Sequence, residues 1–198
     1  MGTYVVAISG ASGAVYGVRL LDYLLAEKHR IYLTLSPEAR IIIKDEMGLD
    51  WGSNYSETSK ILEKKYAAAE LFYCDEKDLS APIASGSVPT QGMVIAPCSM
   101  KTLASVAHGF SSNLIERAAD VTLKEKRPLI LVPRETPLSQ IHLKNMLTLA
   151  EMGATLIPAM PAFYNHPRSI DDLIHFIVGR ALDALKIENK IYARWRES

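Results

Sequence analysis

Four short groups of residues carry the types and spacings that could do chemistry. The first is Gly10-Ala11-Ser12-Gly13. Glycines can take dihedrals closed to other residues, and lacking Cβ atoms they let another group approach the backbone. At the start of a helix, such a turn aims free N–H groups and the positive end of the helix dipole at an anion, and Ser12 adds a hydroxyl. The alternative is a tight turn that binds nothing. The second group is Arg134-Glu135: an arginine that can fork onto phosphate, beside an acid that could pass a proton. The alternative is a local ion pair, worth little at a surface. The third is Arg117 and Lys124, two helical turns apart and so on one stripe. They either form a solvated face paired with Glu116 and Asp120 or converge on a phosphate. The fourth, Cys98-Ser99-Met100-Lys101-Thr102, is another hydroxyl-bearing turn. No histidine stands at a revealing distance from Cys98, and buried cysteines are common. Glu46 stands apart near the end of a helix, where a carboxylate opposes the dipole by about a few tenths of a kcal/mol. Spacing alone favours an exposed charge there over a base at a cleft, and His166 reads as structural.

These groups need elements to position them. Tyr4-Val5-Val6-Ala7-Ile8 is an apolar run that reads as a buried strand, and 15–29 has apolar residues at helical spacing. The order is therefore strand, glycine turn, helix. A second strand over 31–35 leads through Ser36-Pro37 into a helix over 38–47, proline being suited to a first helical turn. The periodicity predicts a peripheral helix over 56–70 and a short strand at Leu71-Phe72-Tyr73-Cys74. Residues 75–88 have no clear period, and their small, flexible run Ala81-Pro82-Ile83-Ala84-Ser85-Gly86-Ser87 suggests a lid or an oligomer contact. Central strands follow at 92–97 and 128–133, with helices at 103–108 and, capped by Asn113, to about 125. A helix over 139–152, a last strand over 154–157, an aromatic, proline-stiffened loop over 158–169 and a closing helix over 170–185 complete the pattern. Such alternation makes an open parallel sheet, whose strand-to-helix turns line the ligand crevice.

Composition narrows the function. The chain has 198 residues, 48% of them hydrophobic, enough for one full core. Its 22 basic and 22 acidic residues cancel, so no electrostatic footprint for nucleic acid or an anionic membrane is visible. Two cysteines suggest reduced thiols in the cytosol. No leader or membrane span is read in the sequence, and no metal-type cluster occurs. The glycines at 10, 13 and 17 do not make G-x-G-x-x-G, and no acid ends the second strand. That argues against NAD and for a mononucleotide or a single phosphate.

The ordered set Ser9-Gly10-Ala11-Ser12-Gly13, Ala84-Ser85-Gly86-Ser87, Ala96-Pro97-Cys98-Ser99-Met100-Lys101-Thr102-Leu103, Asn113-Leu114-Ile115-Glu116-Arg117-Ala118-Ala119-Asp120-Val121, Leu131-Val132-Pro133-Arg134-Glu135 and Phe163-Tyr164 resembles the flavin prenyltransferases of the UbiX type. The likeness spans nearly the whole chain, and Met100-Lys101 and Phe163-Tyr164-Asn165-His166-Pro167 lean toward the branch associated with aromatic-acid decarboxylases. It implies an α/β, Rossmann-like flavodoxin-type three-layer sandwich with a mostly parallel sheet. Residues 1–185 would be one domain, and 186–198 a tail packing on a neighbouring subunit. It implies a cytoplasmic homododecamer built from trimers, with sites at trimer seams. Reduced FMN would accept a dimethylallyl group from dimethylallyl monophosphate, first at N5 and then at C6. The prenylated FMN would serve a UbiD-type decarboxylase, and no metal would be required.

Residue by residue, the resemblance assigns catalysis to Ser12, Glu46 and Glu135. Ser12 and Glu135 would handle the leaving phosphate's proton, and Glu46 would stand near flavin N5. FMN would be held by Gly10, Ala11, Ser12, Ser36, Ser99, Met100, Thr102 and Arg134. The substrate would be held by Arg117, Lys124, Arg134, Tyr164, Arg180 and Trp195. Some members carry Trp where this chain has Leu79, so a cation-stabilising ring is missing at that position. Two rivals are a flavin-dependent cysteine decarboxylase, whose histidine after the first helix has no counterpart here, and a non-catalytic flavin-binding subunit of a decarboxylase complex.

Overall fold

The structure is a computed structural model that describes residues 1–195. Its central strands are apolar and buried at nearly every position, so each feeds two cores. In β1 (Thr3–Ile8), Val6 and Ile8 point to one face of the sheet while Val5 and Ala7 point to the other. The first face is covered by α1 (Ala14–Ala26), α2 (Pro37–Met47), α3 (Tyr55–Lys65) and α7 (Ile170–Ala184). The second is covered by α4 (Met100–Ala107), α5 (Leu114–Lys124) and α6 (Gln140–Glu151). The result is the three-layer α/β sandwich.

The remaining strands are β2 (Arg30–Leu35), β3 (Leu71–Cys74), β4 (Met93–Cys98), β5 (Leu129–Pro133) and β6 (Thr155–Leu156). They lie in the order β3-β2-β1-β4-β5-β6, and every pairing is parallel, not merely most of them. From β1 the chain winds outward to β3, then returns to the middle and winds the other way. The reversal falls between β1 and β4, where such folds hold their ligands.

Several boundaries differ from the sequence reading, each for a local reason. The α1 helix stops at Ala26, and the chain turns through Lys28 at φ 60. The α3 helix ends at Lys65, because Glu70 already joins the edge ladder by accepting from Ile31 N–H at 2.9 Å. The α4 helix starts at Met100, earlier than expected, because Ser99 caps it by accepting from Thr102 N–H at 3.2 Å. The stretch 75–88 is no free lid. A 3₁₀ turn at Pro82–Ala84 buries Ile83 and Ala84 in the second core. Arg117 Nε donates to Ala84 O at 3.0 Å, and Arg127 donates to Gly86 O and Val88 O at 2.7 and 2.9 Å.

Candidate active site

The site is built around Ser9, at the end of β1 and 1% exposed. Its hydroxyl donates to Pro97 O at 2.9 Å and accepts from Ser99 N–H at 2.8 Å, while its own N–H reaches Pro97 O at 3.2 Å. One buried side chain thus ties the glycine turn after β1 to the hydroxyl turn after β4. Sequence reasoning included Ser9 in a motif without giving it a role, because its partners lie 88 and 90 residues away. Gly17, the third glycine, has a separate task. A Cβ there would sit 2.0 Å from Ala96 O, so α1 can cross β4 this closely only over glycine.

Beside this junction runs a groove of about 410 Å³ that includes Gly10, Ser36, Ser99, Lys101, Thr102 and Asn113. Three helices begin on it. Ser36 caps α2 by accepting from Ala39 N–H, Ser99 caps α4, and Asn113 caps α5 by accepting from Glu116 N–H. Their first-turn N–H groups have no intrahelical acceptor, so three positive dipole ends share the groove with Lys101. Ser99 Oγ also donates to Thr102 Oγ1 at 3.0 Å, which sets both hydroxyls. Gly10 keeps the wall open, since a Cβ there would meet Glu38 Cβ at 2.7 Å. Met100 turns its side chain into the second core. Ala11 is buried as well, with its N–H bonded to Ser9 O.

Carboxylates line the same groove. Backbone N–H and the Ser36 hydroxyl hold Glu38 below the usual carboxylate range. Glu116 is consumed in capping, accepting from Ser112 N–H at 2.8 Å. Burial pushes Glu76 up, with the buried Arg40 guanidinium 3.9 Å away.

Glu46 is exposed, as its spacing suggests. It does not simply oppose its own helix. Its Oε2 accepts from Gly13 N–H at 2.9 Å and Ala14 N–H at 3.1 Å, so the carboxylate sits on the positive end of α1. The Gly13 and Ala14 N–H groups of the glycine turn are thus taken by one of the chain's own carboxylates. Gly13 supports the turn at φ 94. Ser12 projects from it and is exposed.

At the end of β5, Arg134 N–H reaches Cys98 O at 3.4 Å, which brings Arg134 beside the start of α4. Its Nε is buried and has no hydrogen-bond partner among the described residues. Glu135 is exposed, with Oε1 accepting from Thr136 N–H at 3.0 Å. Both line a groove of about 370 Å³ closed by Leu138, Met146 and Met160.

The other cations form two clusters. Arg117 and Lys124 do share a stripe of α5 and flank the loop around Gly86, but each already has an internal acid: Asp120 at 2.8 Å from Arg117, and Glu125 beside Lys124. Tyr164, Arg180 and Trp195 gather at α7. The rings of Tyr164 and Trp195 meet edge to face at 5.0 Å, and Arg180 lies 3.7 Å from Asp183. Since α5 and α7 cover opposite faces of the sheet, one chain alone does not bring all six substrate candidates together. Cys98 is fully buried, and burial pushes its thiol up, away from the thiolate a nucleophile needs. Among the described residues no group of acids, histidines or cysteines could hold a metal, and no helix is long and apolar enough to cross a membrane.

The tail residues 186–195 fold back on their own helix. Tyr192 lies against Gly179, where a Cβ would be 2.2 Å from the ring. Asn189 and Arg194 bond to Asp183. Residues 196–198, also assigned to the tail, lie outside the described residues.

A family model for flavoproteins matches residues 2–182. A flavin prenyltransferase UbiX of Alkalihalophilus pseudofirmus is 51% identical over 194 residues, covering 97% of this chain and 95% of that one. A dodecameric FMN-dependent UbiX-like decarboxylase from Escherichia coli O157:H7 superposes with a TM-score of 0.87 at 42% identity, covering 98% of this chain and 99% of that one. The structure of AnUbiX in complex with FMN and dimethylallyl pyrophosphate superposes with a TM-score of 0.86 at 41% identity, covering 100% and 98%. With two hydroxyl-bearing turns joined at the reversal of an all-parallel sheet and relatives alike along their whole length, the chain belongs to the flavoprotein family and, within it, to the UbiX-type flavin prenyltransferases.

Proposed function

We propose that this protein transfers a dimethylallyl group from dimethylallyl monophosphate to N5 and C6 of reduced FMN, and that the prenylated flavin is passed to a UbiD-type decarboxylase. The observation that carries the reading is the unpartnered buried Nε of Arg134, next to Glu135 and abutting the start of α4. The donor set fits FMN: helix N-termini with Ser36, Ser99 and Thr102 for the phosphate, and a guanidinium for the remainder. FMN supplies the nucleophilic ring atoms when bound. Breaking an allylic C–O bond puts negative charge on the departing phosphate, and preorganised cations stabilise it. Losing one such donor typically costs about 3–4 kcal/mol.

In this reading Arg117, Lys124, Arg134, Arg180, Tyr164 and Trp195 hold the substrate phosphate and the allyl group. Glu135 and Ser12 handle its proton, and Glu46 faces the flavin edge from its seat on α1. The separation of the α5 and α7 clusters within one chain supports a composite site, completed where copies meet in a homododecamer of trimers. The exposed side of Trp195 would then face a neighbouring subunit. A cytoplasmic location follows from the same reading. The rival is a flavin-binding subunit without chemistry of its own, and it gives the orphaned Arg134 donor and its neighbouring acid no task beyond the flavin.

The test is anaerobic incubation with reduced FMN and dimethylallyl phosphate or diphosphate, followed by mass spectrometry of the flavin. A gain of one five-carbon unit is expected, and an unchanged flavin mass refutes the proposal. Glu135→Gln is expected to slow transfer while FMN still binds.

A further inference from the structure

We propose that Asp183 is a positioning residue for the substrate site, holding the tail so that Trp195 stands against Tyr164 and Arg180 is left available to an external anion. This rests on the reading of Arg180 and Tyr164 as substrate ligands.

Asp183 lies on α7 one turn after Gly179, and together they form a socket. Gly179 gives Tyr192 room to lie flat on the helix. The Asp183 carboxylate accepts from Tyr192 O–H, from Asn189 Nδ2 at 2.9 Å, and from both ends of the Arg194 guanidinium at 2.8 and 3.2 Å. A carboxylate has about four lone-pair sites, and these donors use them. Arg180 therefore comes only to 3.7 Å, outside hydrogen-bond range. It keeps only a loose ion pair with the carboxylate and the neighbouring Tyr192 hydroxyl, and its side chain stays 54% exposed. Arg194 offsets the Asp183 charge that would otherwise draw Arg180 in.

The same socket fixes the aromatic wall. Tyr192 packs edge to face on Phe176 at 5.5 Å, Phe176 on Tyr164 at 6.0 Å, and Tyr164 on Trp195 at 5.0 Å. Tyr164 enters this stack from the loop before α7, and Trp195 from the tail after it. Asp183 thus connects the cation, the ring and the tail without touching the substrate itself.

The test uses the full-length protein carrying Asp183→Asn, with Tyr192→Phe as a milder variant and Arg180→Ala as the control for the underlying reading. Trp51 is 2% exposed, so acrylamide quenching of tryptophan fluorescence reports mainly on Trp195. Asp183→Asn is expected to raise quenching and to raise KM for dimethylallyl phosphate about tenfold, the size of one charged hydrogen bond, with kcat and FMN affinity little changed. Tyr192→Phe is expected to move both in the same direction by less. Unchanged quenching, or increased quenching with an unchanged KM, overturns the proposal. So does a fall in FMN affinity parallel to the rise in KM, because that reports general damage. If Arg180→Ala raises KM and Asp183→Asn does not, the positioning role fails alone. If Arg180→Ala leaves KM unchanged, the reading of Arg180 as a ligand fails and the proposal goes with it.

Discussion

Glu46 offers the sharpest physical test, because one carboxylate oxygen caps a helix that starts 32 residues earlier in the chain. Replacing it with alanine leaves the Gly13 and Ala14 N–H groups to water. Helix N-cap losses of this kind cost about 1 kcal/mol. Glu46 is exposed, so solvent offsets part of the loss and the figure is not larger. Glu46→Gln keeps an acceptor oxygen and removes the charge, so only the charge–dipole contribution is lost, about 0.3–1 kcal/mol. For a chain of this size, 1 kcal/mol corresponds to about 2–4 °C in Tm. Thermal unfolding by circular dichroism should therefore rank wild type above Glu46→Gln above Glu46→Ala. Inorganic phosphate should then raise the Tm of Glu46→Ala by more than that of wild type, since the vacated N–H pair becomes open to an external anion. Equal Tm values for wild type and Glu46→Ala, or an identical phosphate response, would refute the assignment of this carboxylate to the end of α1.

Three further outcomes follow. Gly17→Ala drives a methyl group into Ala96 O, so it should lower stability by about 1–3 kcal/mol in denaturant titration despite alanine's better helix propensity; a neutral result would mean that α1 does not lie this close to β4. Arg134→Ala should weaken FMN binding at least about tenfold by fluorescence titration, as for a lost charged hydrogen bond, and unchanged affinity would remove Arg134 from the flavin site. Acid should release the tail. Burial raises the Asp183 pKa, but hydrogen bonds from Arg194, Tyr192 and Asn189 outweigh it and hold the carboxyl below the usual range. A depressed folded value contributes stability above the unfolded pKa of about 3.9, and that contribution is lost as pH falls through the folded value. Trp195 quenching should stay flat down to about pH 4 and rise only below it; a rise near neutrality would contradict this.

What the sequence made legible was local. The strand, turn and helix around Gly10, the Asn113 cap and Pro37 in a first helical turn all follow from residue preferences within a few positions, and each is found. The stripe of Arg117 and Lys124 is also found, being a matter of helical period. What was hidden was distant. Nothing near Glu46 in the sequence shows that its oxygen reaches Gly13, 33 residues away. Nor does helical period show that Arg117 bonds to a carbonyl at Ala84, 33 residues away. The tail's partners are equally distant in kind: Tyr192 needs the notch at Gly179, and Ile187 and Ile191 reach the first core only once the chain has folded back on its helix. The separate locations of Arg117 and Arg180 could not be read from one dimension at all.

The Ser9 hydroxyl has a mechanical corollary. Because it bonds to Pro97 O and Ser99 N–H at once, the two turns that face the crevice share one reference point inside the sheet. Neither can shift without carrying the other along. Loops farther out are free to vary in length and composition while the spacing between these two anchor points stays fixed. A lesion at Ser9 would therefore register as misalignment of two distant segments at once, a fault in geometry more than in affinity at either one.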